Sequence, residues 1–198
     1  MILWINGAFG VGKSQTAHEL HRRIPRSFVY DPERIGYFIN KNTPNETHKG
    51  DFQDYDLWRD SNYNILKYIH DEYDGTVIAP MTIVDPVYFE EIVGRLRRDG
   101  IVIHHYVLWA SEDTLKKRLR SRGERKNSWA AEQIDRCMVG LSDDVFHERI
   151  LTDDKTIGEV VEAIAAKSEI ELLPDNRNRL RKRVDRMKTQ WKQTRFFN

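Results

Sequence analysis

Residues 7–14 read Gly-Ala-Phe-Gly-Val-Gly-Lys-Ser and satisfy the phosphate-binding pattern G-x-x-x-x-G-K-[ST] at every position. Gly7, Gly10 and Gly12, with Ala8, Phe9 and Val11 between them, allow a bend whose backbone N–H groups surround a phosphate. Lys13 is placed to reach the β and γ phosphates of a nucleoside triphosphate, and the Ser14 hydroxyl to complete a magnesium shell. Gln15 comes next, on a helix whose N-terminal dipole favours the same anion. These nine residues are the expected site for ATP with Mg²⁺.

What is done with the phosphate depends on the rest of the chain. A switch GTPase needs an N-K-x-D signature, but Asn40-Lys41 is followed by Asn42-Thr43. The motor ATPases need a longer chain than 198 residues. The small kinases need a carboxylate after the second strand, a helical acceptor insert and an arginine-bearing lid. Asp31 follows the apolar Phe28-Val29-Tyr30 and so falls at the carboxyl edge of a sheet, where ligands bind in open α/β folds. There it either takes a proton from an acceptor hydroxyl or holds magnesium through water; the plainer reading is an Asp-Pro turn. Glu33 and Arg34 adjoin it as acceptor-pocket candidates. Arg118 and Arg122 are spaced i,i+4 on a basic helix, suited to neutralising a transferring phosphoryl group, with a solvated basic face as the alternative. Residues 51–73 concentrate aromatics, including Phe52 and Trp58, with Arg59 and Asn62 as polar contacts. That segment either stacks a flat acceptor or fills the core.

The elements that must position these residues are legible in the hydrophobic pattern. Short apolar runs alternate with helical periodicity, which predicts an α/β fold with a mainly parallel sheet. Strands are expected at 2–5, 27–30, 76–79, 101–109 and 150–151. Helices are expected at about 13–23, 56–73, 86–99, 112–122, from 128 onward, and 157–167. Asp85 with Pro86 starts one of them, Gly100 stops it, and Thr156 with Glu159 forms a capping box. His18 with His21, and His104 with His105, lack metal-ligand spacing.

Composition bounds the class. Hydrophobic residues make up 39% and charged residues 32%, enough apolar surface for a core but with no run near the roughly 20 residues of a membrane-spanning helix. A single cysteine, Cys137, excludes an internal disulfide framework and fits a cytoplasmic protein. The net charge of +1 hides an asymmetry. Residues 175–198 carry nine of the 32 basic and two of the 31 acidic residues, so this tail is strongly basic and the body acidic. Pro174 marks the change, which predicts a domain over 1–174 and a tail over 175–198. Leu180, Val184, Met187 and Trp191 make an apolar stripe along that tail as a helix. It suits either the inner, anionic surface of a membrane or packing on the acidic body; nucleic acid is the weaker match.

The sequence resembles the bacterial TmrB-like tunicamycin-resistance family. The similarity runs through WINGAFGVGKSQTA at 4–17, VYDPE at 29–33, DFQDYDLWR at 51–59, PMTIVDPVYF at 80–89 and KNSWAAEQIDRC at 126–137. It implies an ATP-binding protein that protects against tunicamycin, a uracil nucleoside antibiotic with a fatty acyl chain. It also implies a P-loop fold of the nucleotide-kinase type, with sheet order 2-3-1-4-5. One departure from the wider kinase pattern is that the third strand ends at Ala79-Pro80-Met81-Thr82, without a Walker B carboxylate. Magnesium would then rest on Ser14, phosphate oxygens, water and Asp31. Three functions are compatible with all of this: an ATP-dependent phosphotransferase acting on the antibiotic, a membrane-associated binder that sequesters it, or a general nucleoside or nucleotide kinase.

Overall fold

The computed structural model describes residues 1–125 and 127–194, with the side chains of Arg179 and of residues 191–194 left out. A five-stranded sheet, β1 (Ile2–Gly7), β2 (Ser27–Val29), β3 (Thr76–Pro80), β4 (Ile103–Trp109) and β5 (Arg149–Leu151), has the order β2-β3-β1-β4-β5. All four pairings are parallel, and β1 is central, with Ile2–Ile5 opposite Val77–Pro80 on one side and Ile2–Gly7 opposite Ile103–Leu108 on the other. The α/β class expected from the hydrophobic pattern, and the strand order that the family resemblance implies, are those observed.

A parallel sheet is covered on both faces, and β1 and β3 accordingly read as continuous apolar runs rather than alternating ones. Ile2, Leu3, Trp4, Ile5, Ile78 and Ala79 have no exposed surface. The covering helices are α1 (Lys13–Arg23), α2 (Glu33–Asn42), α3 (Asp56–Glu72), α4 (Pro86–Phe89), α5 (Arg95–Arg98), α6 (Glu112–Ser121), α7 (Trp129–Gly140) and α8 (Ile157–Lys167). The expected caps are present, with Asp85 accepting from Val87 and Tyr88 and Thr156 and Glu159 forming the box; Ser111 and Ser128 cap α6 and α7 in the same way, accepting from Thr114 and Ala131. Gly100 ends α5 with φ +83°.

Two features lay outside the sequence pattern. Helix α2 follows Asp31-Pro32 directly, with Gly36 and Ile39 buried. Between α4 and α5 the chain makes a π turn, Glu90–Gly94, that keeps Phe89, Ile92, Val93 and Leu96 all inward.

The basic tail forms α9 (Arg179–Thr194). Its charged residues dock it on α1: Arg177 bonds Glu19, Asp175 at 2.7 Å and Asp185 at 2.8 Å, and Gln15 Nε2 donates to the Arg186 carbonyl at 3.0 Å. The apolar stripe faces the other way, with Leu180 74% and Met187 60% exposed and Val184 also open; the Trp191 side chain lies outside the described residues. No helix among the described residues is long and apolar enough to cross a membrane.

Candidate functional site

β1 delivers the chain to the phosphate loop at Gly7, and α1 begins at Lys13. Gly7, Gly10 and Gly12 all have positive φ, of +142°, +84° and +112°. At Gly7 the space is closed as well, since a Cβ would lie 2.6 Å from the Leu108 carbonyl oxygen. Helix α1 has no side-chain cap and no acidic residue in its first turn, so its N-terminal N–H groups remain for an anion. The Ser14 hydroxyl has no protein partner among the described residues.

Lys13 Nζ donates to the carbonyls of Gly7 at 2.8 Å and Ala8 at 3.1 Å, folding back over the loop and the Phe9 ring. Desolvation lowers its pKa to about 8, a shift that Cys137 and Glu33 oppose and Arg122 reinforces. Bound phosphates would raise it again.

The two arginines of the expected lid divide. Arg118 is tied down, donating to the Thr152 carbonyl, to Thr152 Oγ1 at 3.0 Å and to the Val11 carbonyl at 3.3 Å. It braces β5 against the phosphate loop. The Arg122 guanidinium has no hydrogen bond or ion pair among the described residues and is open to solvent, yet neighbouring protein and Arg118 lower its pKa. Of the two, it is the one not spent on the protein.

Near Lys13 lies Glu33, the first residue of α2, with Asp31 two residues before it. Asp31 Oδ1 accepts from the Glu33 N–H at 3.2 Å, so it is also the Asx turn of the plainer reading. Burial raises the Asp31 pKa despite Arg34, whose Nε lies 3.9 Å away. Burial, then the charge of Asp31, pushes Glu33 up to about 7, while Lys13 and the Tyr37 hydroxyl at 3.4 Å pull it down. Two like charges in one pocket cannot both ionise freely, so the pair holds a proton near neutrality.

The aromatic segment is mostly structural, which corrects part of the acceptor expectation. Trp58 is fully buried, its Nε1 donating to the Pro32 carbonyl at 3.0 Å. Asn62 is buried between the Tyr30 hydroxyl and the Trp58 carbonyl, at 2.7 and 2.8 Å. Arg59 is taken up by Asp56, Glu91 and the Gln53 carbonyl. These three hold α3 behind the pocket, because a 17-residue helix next to the sheet must bury one face. Phe52 is half-buried against Trp58 and Tyr37, in space that Gly36 leaves open.

Several supporting residues escaped the sequence reading. Asn6, fully buried, accepts from the N–H groups of Gly7 (2.8 Å) and Ile83 (3.0 Å) and donates to the Ile83 carbonyl (2.8 Å) and towards His105 Nε2 (3.3 Å). Thr82, in the place of the missing Walker B carboxylate, donates its hydroxyl to the Gly7 carbonyl at 2.9 Å. Trp129 packs edge-on against Phe9 at 4.9 Å, and the buried Cys137 thiol lies beneath Phe9 and Lys13. A polar residue closing an apolar strand before Gly7 was the available sign for Asn6; Thr82 and Cys137 had none.

A family model described as an AAA domain matches residues 2–138. The structure of the Deinococcus radiodurans tunicamycin resistance protein is 34% identical, with 88% of this chain and 98% of that one covered and a TM-score of 0.76. A sugar kinase from Janibacter sp. HTCC2649 superposes with TM-score 0.61 at 14% identity, covering 85% of this chain and 94% of that one. Shikimate kinase from Bacteroides thetaiotaomicron does so at 0.55 and 17%, covering 86% and 99%. Both share the fold. No curated protein matches the chain. The phosphate loop, the kinase-like sheet and the 34% identity over most of its length identify this nucleotide-binding chain as a member of the tunicamycin resistance protein family, built on the AAA-type domain.

Proposed function

We propose that the protein is an ATP-dependent phosphotransferase acting on tunicamycin or a similar nucleoside antibiotic. The observation that carries this reading is the nearness of Glu33, with Asp31 beside it, to Lys13, which Arg122 also approaches, close enough for Glu33 and Lys13 to alter each other's ionisation. The loop N–H groups, Lys13 and Arg122 would hold the triphosphate, and Ser14, with Asp31 through water, would hold Mg²⁺, which would supply charge neutralisation to the phosphates. An acceptor hydroxyl oxygen bonds to the γ phosphorus as the bond to the bridging oxygen breaks. Asp31 takes the hydroxyl proton, and ADP leaves with the bridging oxygen.

The test is mass spectrometry of tunicamycin incubated with protein and Mg-ATP. A gain of one phosphoryl group, absent with Lys13→Ala and with Asp31→Asn, is expected. Full activity in Asp31→Asn refutes the base assignment.

Thr82 in the carboxylate's place favours a second reading, a membrane-associated binder that sequesters the drug unmodified. The outward stripe of Leu180, Val184 and Met187 on a basic helix supports contact with anionic lipid, where an acylated drug collects. Sequestration predicts saturation at about one drug per chain without product. A chain truncated after Pro174 that still sediments with anionic vesicles removes the tail from that account.

A further inference from the structure

A cleft of about 590 Å³, within the range of small-molecule sites, opens between the turn Phe52–Asp54, the β3–α4 connection and α7. We propose that it is the acceptor subsite, and that it selects an uncharged, hydroxyl-bearing acceptor with an apolar portion over a phosphorylated one. This rests on the phosphotransferase reading and adds the class of acceptor to it.

Its position comes first. Asp51, on the rim, precedes Phe52, whose ring meets Tyr37 at 6.2 Å, and the Tyr37 hydroxyl donates to Glu33 at 3.4 Å. Arg136, opposite, precedes the Cys137 that sits under the phosphate loop. The cleft therefore lies one side chain away from the carboxylates and the phosphate loop on both of its sides.

Its walls are partly apolar. Val84, Pro86 and Val139 line it, and Gly140 lets α7 approach until a Cβ there would be 2.7 Å from the Val84 Cβ. Val139 is 74% exposed at the mouth. A glycosyl face or the start of an acyl chain finds contact there.

Its rim is acidic: Asp51, Asp54, Asp85 and Asp135. Among the described residues lining it, the one cation is Arg136, and it is paired with Asp51 at 3.2 Å. The nearby Arg59 is spent on Asp56 and Glu91. Carboxylates accept hydrogen bonds from hydroxyls, but a phosphate carrying almost two charges would meet repulsion and no unpaired guanidinium. Nucleoside monophosphates fit poorly for this reason, whereas a neutral nucleoside fits.

The experiment is calorimetric titration of the full chain with tunicamycin, with and without a non-hydrolysable ATP analogue and Mg²⁺, followed by competition with uridine and with uridine monophosphate. Uridine is expected to compete at least tenfold better than its monophosphate, and Asp54→Asn with Asp135→Asn to narrow that ratio. Val139→Arg is expected to weaken drug binding at least tenfold with analogue binding unchanged. Equal or better competition by the monophosphate, or drug affinity unchanged in Val139→Arg, overturns the assignment. Drug bound in the cleft with no phosphorylated product overturns the transferase reading instead and leaves the subsite standing.

Discussion

Asn6→Ala is the sharpest perturbation of the site that leaves every phosphate-loop residue in place. The substitution removes one side chain but orphans three buried backbone groups: the N–H of Gly7, the N–H of Ile83 and the carbonyl of Ile83. Each unsatisfied group costs about 1–3 kcal/mol, and a water admitted to the space recovers part of it. The loss is therefore about 3–5 kcal/mol, a large share of the roughly 5–15 kcal/mol of a typical domain. Gly7 opens the phosphate loop, so the loop also loses its fixed starting point, and nucleotide affinity should fall by about tenfold, or 1.4 kcal/mol. Urea denaturation followed by circular dichroism gives the first number, and titration with a fluorescent ATP analogue the second. Asn6→Leu separates causes, since it fills the volume without restoring a hydrogen bond. A loss under about 1 kcal/mol with unchanged affinity, or rescue by leucine, would refute the argument that these bonds hold the loop.

The other expectations are simpler to state. Arg118→Ala should lower thermal stability by cutting the brace from Thr152 to Val11, whereas Arg122→Ala should leave unfolding within about 0.5 kcal/mol and weaken nucleotide-analogue binding; the opposite pattern would exchange the roles given to the two residues. Desolvation, aided by Arg97 and His147, lowers the pKa of buried His105 from 6.5 to about 3. The unfolded chain thus takes up the proton first, and the stability present above pH 6.5 is lost as the pH falls below it, by about 2 kcal/mol between pH 7 and pH 5. Urea midpoints at the two pH values should show that loss in the wild type and a smaller one in His105→Gln; equal slopes would mean another group governs the acid response.

Local rules account for what was readable without coordinates. The phosphate loop needs glycines at particular dihedrals and a lysine one helical step on, so its pattern lies within eight consecutive residues. Strands buried on both faces announce themselves as Ile-Leu-Trp-Ile or Val-Ile-Ala, and caps such as Asp85 and Thr156 bond within their own turn. Trp58, Arg59 and Asn62 show where that information ends. Their types suit a ligand pocket equally well, and only the packing of α3 against Pro32, Tyr30 and Glu91 commits them to the interior.

The same division separates Arg118 from Arg122. Four residues apart on one basic stretch, they are equivalent until β5 brings Thr152 to one of them and leaves the other open. The tail divides likewise. Its stripe and its charges are set by helical spacing, but which side meets the body follows from Glu19 on α1, 158 residues from Arg177 in the chain. The sequence by itself therefore determined the chemistry available, a phosphate cradle, a carboxylate after the second strand and the elements that carry them, because those follow from dihedral preference and periodicity. Tertiary structure decided which polar groups are spent on the protein and which remain for a ligand, because that depends on partners distant in the chain whose approach no local pattern encodes.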